Sequence, residues 1–263
     1  MIRTKFVDAS NFMTKTSLGH DFTCNPYVGC EHGCLYCYAQ TMPSFLNRLE
    51  KWGTYVDIKM YPNYNIQKNT GSKSLLFSSM TDAYQPIEAT MSCTRKILEN
   101  IYESNLKVSF LTKSSLVVRD IDLFKQMKSV EIGFSIAMDD YWKEIFEPNA
   151  SRPSERIEAI KTLHQSGVKT YVFISPIIPY VTNVFEIIDK VKPYVDYFMF
   201  DKLNLKDTIN KLRIYQVVKN KLPEKYNDFV HIFDSKKNDY YEKLKNDIKT
   251  YLIKENLQYH YLY

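Results

Sequence analysis

The chain is 263 residues long, 44% hydrophobic and 25% charged, with 35 Lys and Arg against 30 Asp and Glu and a formal net charge of +5. These are the proportions of an ordinary soluble globular protein, long enough to bury a core without staples, and the charge permits an anionic partner without requiring one. Neither a signal peptide nor a membrane span is expected, because residues 1–10 lack an apolar core and the longest apolar run, 171–181, is broken by Pro176 and Pro179. The expected location is therefore cytoplasmic, where five cysteines read as ligands, catalysts or core residues rather than as a disulfide framework.

In chain order, a first strand is predicted near residues 21–28, just ahead of Cys30, Cys34 and Cys37. From residue 75 onward short β-rich apolar runs alternate with helical patterns. Strands are predicted at 75–79, 108–112, 131–137, 170–175 and 196–200. Between them, helices are predicted at 88–104, 119–128, from Pro153 to the capping Gly167, and 184–191. A β-α-β-α series with short connections demands parallel strands and helical crossovers. Six such units suit an α/β fold of the partial (β/α)6 TIM-type barrel kind over residues 1–200, although an open doubly wound sheet fits the same pattern. Either way, ligands belong at the C-terminal ends of the strands. Residues 201–263 lose the strand rhythm and read as a helical C-terminal extension packed on that core, with helices near 206–221 and 239–254. The extension holds 13 Lys/Arg against 9 Asp/Glu and eight tyrosines.

The spacing of Cys30, Cys34 and Cys37 is C-x3-C-x2-C on one continuous loop. Three thiolates so placed can each bind one iron of a [4Fe–4S] cube and leave the fourth iron open to a substrate or cofactor. A zinc site using His32, or three unrelated core cysteines, are the other readings of the same loop. Cys24 and Cys93 read as core residues, Cys93 lying on the apolar face of a helix.

The loop NPYVGCEHGCLYCYAQ from Asn25, with TDAYQPIE from Thr81, LTKSSLVVRDIDL from Leu111, FSIAM from Phe134, EPNASRPSERIEAI from Glu147 and ISPIIPYVTN from Ile174, resembles the radical S-adenosylmethionine (SAM) superfamily. Within it, the run is similar to the branch of spore photoproduct lyase and DNA repair photolyase-like proteins. The resemblance implies an enzyme that uses a [4Fe–4S] cluster to cleave SAM to a 5′-deoxyadenosyl radical, which takes a hydrogen atom from a substrate. It implies that Tyr36 lies against the adenine, that Ser79, Thr81 and Asp82 meet the SAM amino group, and that Lys113 and Ser135 hold its carboxylate and ribose. Glu147 and Arg156 read equally as site residues or as a structural ion pair. Spore photoproduct lyase uses a hydrogen-donating cysteine near the end of this strand, whereas residues 77–82 contain no thiol and Met80 cannot donate a hydrogen atom in that way, so that enzyme's repair reaction is not carried over.

The substrate is expected among nucleic acids or nucleotides, with a peptide or small molecule, or a non-catalytic iron–sulfur or zinc protein, as alternatives. The basic, tyrosine-rich extension reads first as a solvated helical cap with its tyrosines facing the core, and alternatively as a surface that meets phosphates and stacks bases. The chemistry implies a one-electron donor such as flavodoxin or ferredoxin.

Overall fold

The computed structural model describes residues 2–42, 48–64, 71–235 and 238–263. The strands are β1 (Arg3–Asp8), β2 (Thr14–Lys15), β3 (Phe22–Cys24), β4 (Tyr27–Val28), β5 (Tyr55–Met60), β6 (Ser74–Phe77), β7 (Lys107–Thr112), β8 (Val130–Ser135), β9 (Lys169–Ile177), β10 (Tyr197–Lys202) and β11 (Tyr259–Leu262). The main sheet has the order β11-β10-β9-β8-β7-β6-β3-β2. From β3 through β10 all neighbours pair in parallel, which makes six parallel strands. This is the expected α/β partial barrel. A second sheet, β1-β5-β4, lies outside it.

Alternation along the strands decides which face is dry. Phe110, Ile132, Phe134, Val172, Ile174, Phe198 and Phe200 join a core that also holds Ile97, Leu98 and Ile101 from the Cys93–Ile101 helix. Ile160 and Leu163 enter it from the Pro153–Gln165 helix, and Ile187 and Ile188 from the Val184–Val191 helix. Truncating one of the fully buried phenylalanines would cost about 3–5 kcal/mol. On the opposite face Leu111, Phe173 and Met199 are only half-buried.

Several elements depart from the sequence pattern. The predicted helix at 88–104 is two pieces, Glu88–Met91 and Cys93–Ile101, parted at Ser92 with φ of 54°. Glu88 explains the break. Its carboxylate accepts the backbone N–H groups of Thr94 (3.0 Å) and Arg95 (3.3 Å), capping the second piece. The predicted helix at 119–128 is a 3-10 turn, Ser115–Asp120, running into Ile121–Phe124. There buried Asp120 accepts from Tyr84 Oη (3.0 Å), Arg95 (2.8 Å) and Arg119 (2.9 Å), and this local network overrides the apolar period. Strands β1 and β5 and the Asp140–Phe146 helix were not signalled by periodicity.

The C-terminal segment contributes three helices, Thr208–Lys221, Tyr226–Asp234 and Tyr240–Lys254, and also a strand, since β11 pairs in parallel with β10. Ile248 and Leu252 enter the main core. A second apolar cluster joins Ala137, Met138, Phe146 and Ile178 of the barrel's C-terminal rim to Leu203, Ile214, Val218 and Phe229 of the extension. No described helix is long and apolar enough to cross a membrane.

Candidate functional site

The cysteine loop leaves the small strand β4 at the C-terminal end of the barrel. Asn25, just past β3, donates from Nδ2 to Ser79 Oγ (3.1 Å) and accepts from Met80 N (3.2 Å), tying the ends of β3 and β6 together. Gly29 has φ of +90°, and a Cβ there would lie 2.6 Å from the backbone oxygen of Tyr55. Only glycine fits that turn. Backbone bonds from Gly33 N to Cys30 O (3.4 Å) and from Cys37 N to Cys34 O (3.2 Å) then fold the loop back on itself.

Cys30 and Cys34 are buried and Cys37 is half-buried, and all three are free thiols. They lie within electrostatic reach of one another. Burial pushes the Cys30 thiol up, and the charges of Asp82, Cys34 and Cys37 push it further. Three free thiols on one compact loop are the donor set of a cube that takes one thiolate per iron. A single zinc instead needs its ligands to converge on one point. Among the described residues no three His, Cys, Asp or Glu side chains, these thiols included, are gathered around one point. His32 turns to Asp82, with Nδ1 3.4 Å from Oδ2. Burial drops its pKa to about 4, so the imidazole is neutral.

Of the residues marked for SAM, Asp82, Thr81, Ser79, Tyr36 and Lys113 gather around the cysteine loop. Asp82 accepts from Thr112 Oγ1 (2.7 Å), Lys113 N (2.8 Å) and Tyr84 N (2.9 Å), so its oxygens are engaged within the chain as a strut between the ends of β6 and β7. Thr81 donates to Gly29 O and accepts from Gln85 Nε2 (2.9 Å). Ser79 accepts through Oγ from Asn25, and its carbonyl accepts from Tyr38. Ser135 donates to Ser175 O (3.0 Å) at the end of β9, and its carbonyl accepts from Arg156 (2.8 Å).

Tyr36 donates to Glu147, whose other oxygen accepts from Arg156. Arg156 also reaches Ser151 O (2.9 Å) and Ser135 O (2.8 Å). Glu147 and Arg156 are both 0% exposed, so they form a buried ion pair that braces the wall beside the loop. Lys113 Nζ lies 5.8 Å from the Tyr36 ring centroid. Burial pulls its pKa down, but Cys34 and Glu147 outweigh that and hold it above the ordinary lysine value. It therefore presents a cation beside the thiols.

Two features escaped the sequence reading. Ser78, with φ of 67°, follows β6 with a buried hydroxyl that has no hydrogen-bond partner among the described residues. Its signal is a non-glycine residue in left-handed backbone, which a sequence does not display. Asn210 and Gln40 were missed because they meet across 170 residues.

The Radical SAM superfamily model matches residues 24–190. An uncharacterized protein of Methanocaldococcus jannaschii is 42% identical over 190 residues, covering 72% of each chain. The radical SAM Nα-GlyT isomerase of Pseudomonas phage M6 is 27% identical over 59% of this chain and 32% of its own. Other curated relatives are also longer: the chain spans 58% of an Acidianus two-tailed virus protein and 53% of a Mycobacterium tuberculosis protein. Among solved structures, a spore photoproduct lyase variant with bound AdoMet and dinucleoside spore photoproduct has a TM-score of 0.62 at 16% identity, over 87% of this chain and 79% of that one. That likeness is one of fold.

Proposed function

The chain belongs to the radical SAM superfamily and is a radical SAM enzyme, and from that premise we propose that Cys30, Cys34 and Cys37 hold a [4Fe–4S] cluster on which SAM is bound. The observation that carries this reading is the placement of three free thiols on one glycine-shaped loop at the C-terminal rim of the barrel. When bound, the cluster supplies an electron to the SAM sulfonium, and C–S cleavage gives a 5′-deoxyadenosyl radical that takes a hydrogen atom from an unactivated carbon.

The chain's own residues have simpler tasks. Lys113, a cation without an ion-pair partner within 4 Å among the described residues, is suited to the SAM carboxylate. Ser78 and Ser79 offer a hydroxyl and a carbonyl at the end of β6 for the amino group. Asp82 is better read as holding the β6 and β7 ends in register than as a direct SAM ligand. The Tyr36–Glu147–Arg156 chain fixes the ring of Tyr36 for contact with the nucleoside. Met80 packs with Cys37, Ala39 and Tyr55 and has no S–H to return a hydrogen atom, so spore photoproduct repair is not part of the proposal.

A nucleic acid or nucleotide is the substrate class we propose, and the formal charge of +5 is compatible with it without requiring it. Four of the eight tyrosines of the extension have their hydroxyls bonded inside the chain. Tyr215 bonds Asp234 (3.1 Å), Tyr241 bonds Ile177 O (2.9 Å), Tyr251 bonds Asp189 (2.6 Å) and Tyr263 bonds Tyr241 O (3.1 Å). A one-electron donor of the flavodoxin or ferredoxin kind completes the reaction.

The test is anaerobic reconstitution followed by reduction in the presence of SAM. Bound iron and release of 5′-deoxyadenosine are expected; colourless, iron-free protein would refute the reading. Salt-sensitive binding of DNA, RNA or nucleotides supports the substrate class, and its absence at low salt turns the search to peptides and small molecules.

A further inference from the structure

The Thr208–Lys221 helix begins against the cysteine loop. Its first turn carries Asn210, which is 3% exposed. Asn210 Nδ2 donates to Cys37 O (3.4 Å), and its Oδ1 accepts from Gln40 Nε2 (2.7 Å). Gln40 also donates to Leu35 O (3.3 Å) and accepts from Arg213 Nη1 (2.8 Å) one turn further along the helix. Asp207 fixes the turn by accepting from Asn210 N (2.8 Å). Leu35 and Tyr36 pack against the cluster that holds Ile214 and Val218.

A buried amide is costly unless its donors and acceptors are met. An apolar residue would have served if this helix merely covered the loop. Here both ends of the Asn210 amide are matched to the stretch bearing Cys37. The barrel holds the same stretch from the other side, through Leu35 N to Phe146 O (2.9 Å) and Tyr38 to Ser79 O. The loop is clamped between barrel and extension.

We propose that Asn210 is a positioning residue of the cluster site, setting the Cys37 segment through its carbonyl and through Gln40 and keeping that side of the loop closed. This rests on the cluster reading given above. It makes the extension part of the site rather than an appendage.

The experiment compares full-length wild type, Asn210→Ala, Gln40→Ala and Val218→Ala after anaerobic reconstitution. Val218→Ala weakens the same helix in its apolar contacts, including those of the cluster under Leu35 and Tyr36, and removes none of the hydrogen bonds to the loop. The readouts are iron content, the electron paramagnetic resonance spectrum of the reduced cluster with and without SAM, and the rate of bleaching in air. Wild type and Val218→Ala should share one spectrum and one bleaching rate. Asn210→Ala and Gln40→Ala should each change the spectrum and bleach at least about fivefold faster, the factor for a single lost hydrogen bond, since the first removes two side-chain bonds and the second three. If Asn210→Ala does not fold, Gln40→Ala decides the matter, because Gln40 lies on the loop and not in the helix. Wild-type behaviour of the loaded variants, or an equal change in Val218→Ala, overturns the inference and leaves the proposed function standing. Wild type that never loads iron removes both.

Discussion

Replacing Arg156 with Met takes the guanidinium out of the buried wall beside the cysteine loop. Both Arg156 and Glu147 are 0% exposed, and the guanidinium serves Glu147, Ser135 O and Ser151 O together. Removing one partner of such a pair leaves a buried charge uncompensated and costs about 3–5 kcal/mol. At roughly 2–4 °C per kcal/mol for a chain of this size, the melting midpoint should fall by about 10 °C. The pH dependence gives a sharper test. Burial raises the pKa of Glu147, but Arg156, Lys113 and the Tyr36 hydroxyl outweigh it and hold the carboxyl below its ordinary value of 4.5. A folded pKa below the unfolded one means stability that is complete above the unfolded value and lost as pH falls through the folded one. Without Arg156, burial dominates and the sign reverses, so the variant gains stability as Glu147 takes up a proton. Urea unfolding of the metal-free proteins should therefore show a gap that narrows between about pH 7.5 and about pH 5. The double variant Glu147→Leu/Arg156→Met should recover part of the loss, because no lone charge remains. A gap under about 1 kcal/mol, or one unchanged across that range, would refute the reasoning.

Three further outcomes are expected. Substituting Ala for Cys30, Cys34 or Cys37 should abolish the visible absorbance of the reconstituted cluster, whereas Cys24→Ala and Cys93→Ala should keep it; retention of full iron by any of the first three contradicts the ligand assignment. Gly29→Ala combines φ of +90° with a Cβ 2.6 Å from Tyr55 O, so it should cost at least about 2 kcal/mol in a thermal melt and lower iron loading. Lys113→Met should leave iron content intact but weaken SAM binding by about tenfold or more, the worth of one charge-assisted hydrogen bond; equilibrium dialysis of the loaded protein reads this directly.

Much of the barrel was legible because parallel strands buried on one face by helices leave dense apolar runs. The predicted strands 108–112 and 170–175 are short, rich in β-branched and aromatic side chains, and fall within β7 and β9, while the apolar run at 75–79 overruns β6 by Ser78 and Ser79. The cysteine loop was legible because its chemistry is local in sequence. What was hidden depends on distant partners. Glu88 breaks a helix only because Thr94 and Arg95 find its carboxylate, and Arg119 also reaches it. Strand β1 carries Lys5 and Asp8 among exposed positions and pairs with β5 some fifty residues later, so no periodicity announced it. Asp82 shows in sequence only its place at a strand end, and not that Thr112 and the Lys113 amide donate to its oxygens.

The boundary near residue 200 is the point where sequence rhythm and physical unity part company. The rhythm stops there because the strands do, but the buried surface continues. Leu203, Ile214, Val218, Phe229, Ile248 and Leu252 are each under 5% exposed and lie beyond it. At about 1.5–3 kcal/mol for each fully buried side chain, their gross contribution is roughly 9–18 kcal/mol, an upper bound before the ordering of the segment is subtracted. A whole domain keeps only about 5–15 kcal/mol net. A chain ending at Phe200 would also bare Met138, Phe146 and Ile178 on the rim and leave β10 as an unpaired edge. Such a chain should aggregate or unfold without cooperativity, and it should fail to hold iron. Soluble protein of residues 1–200 that unfolds in one sharp transition and loads a cluster would show that the extension is separable after all, and with it that the Asn210 contact to Cys37 is incidental.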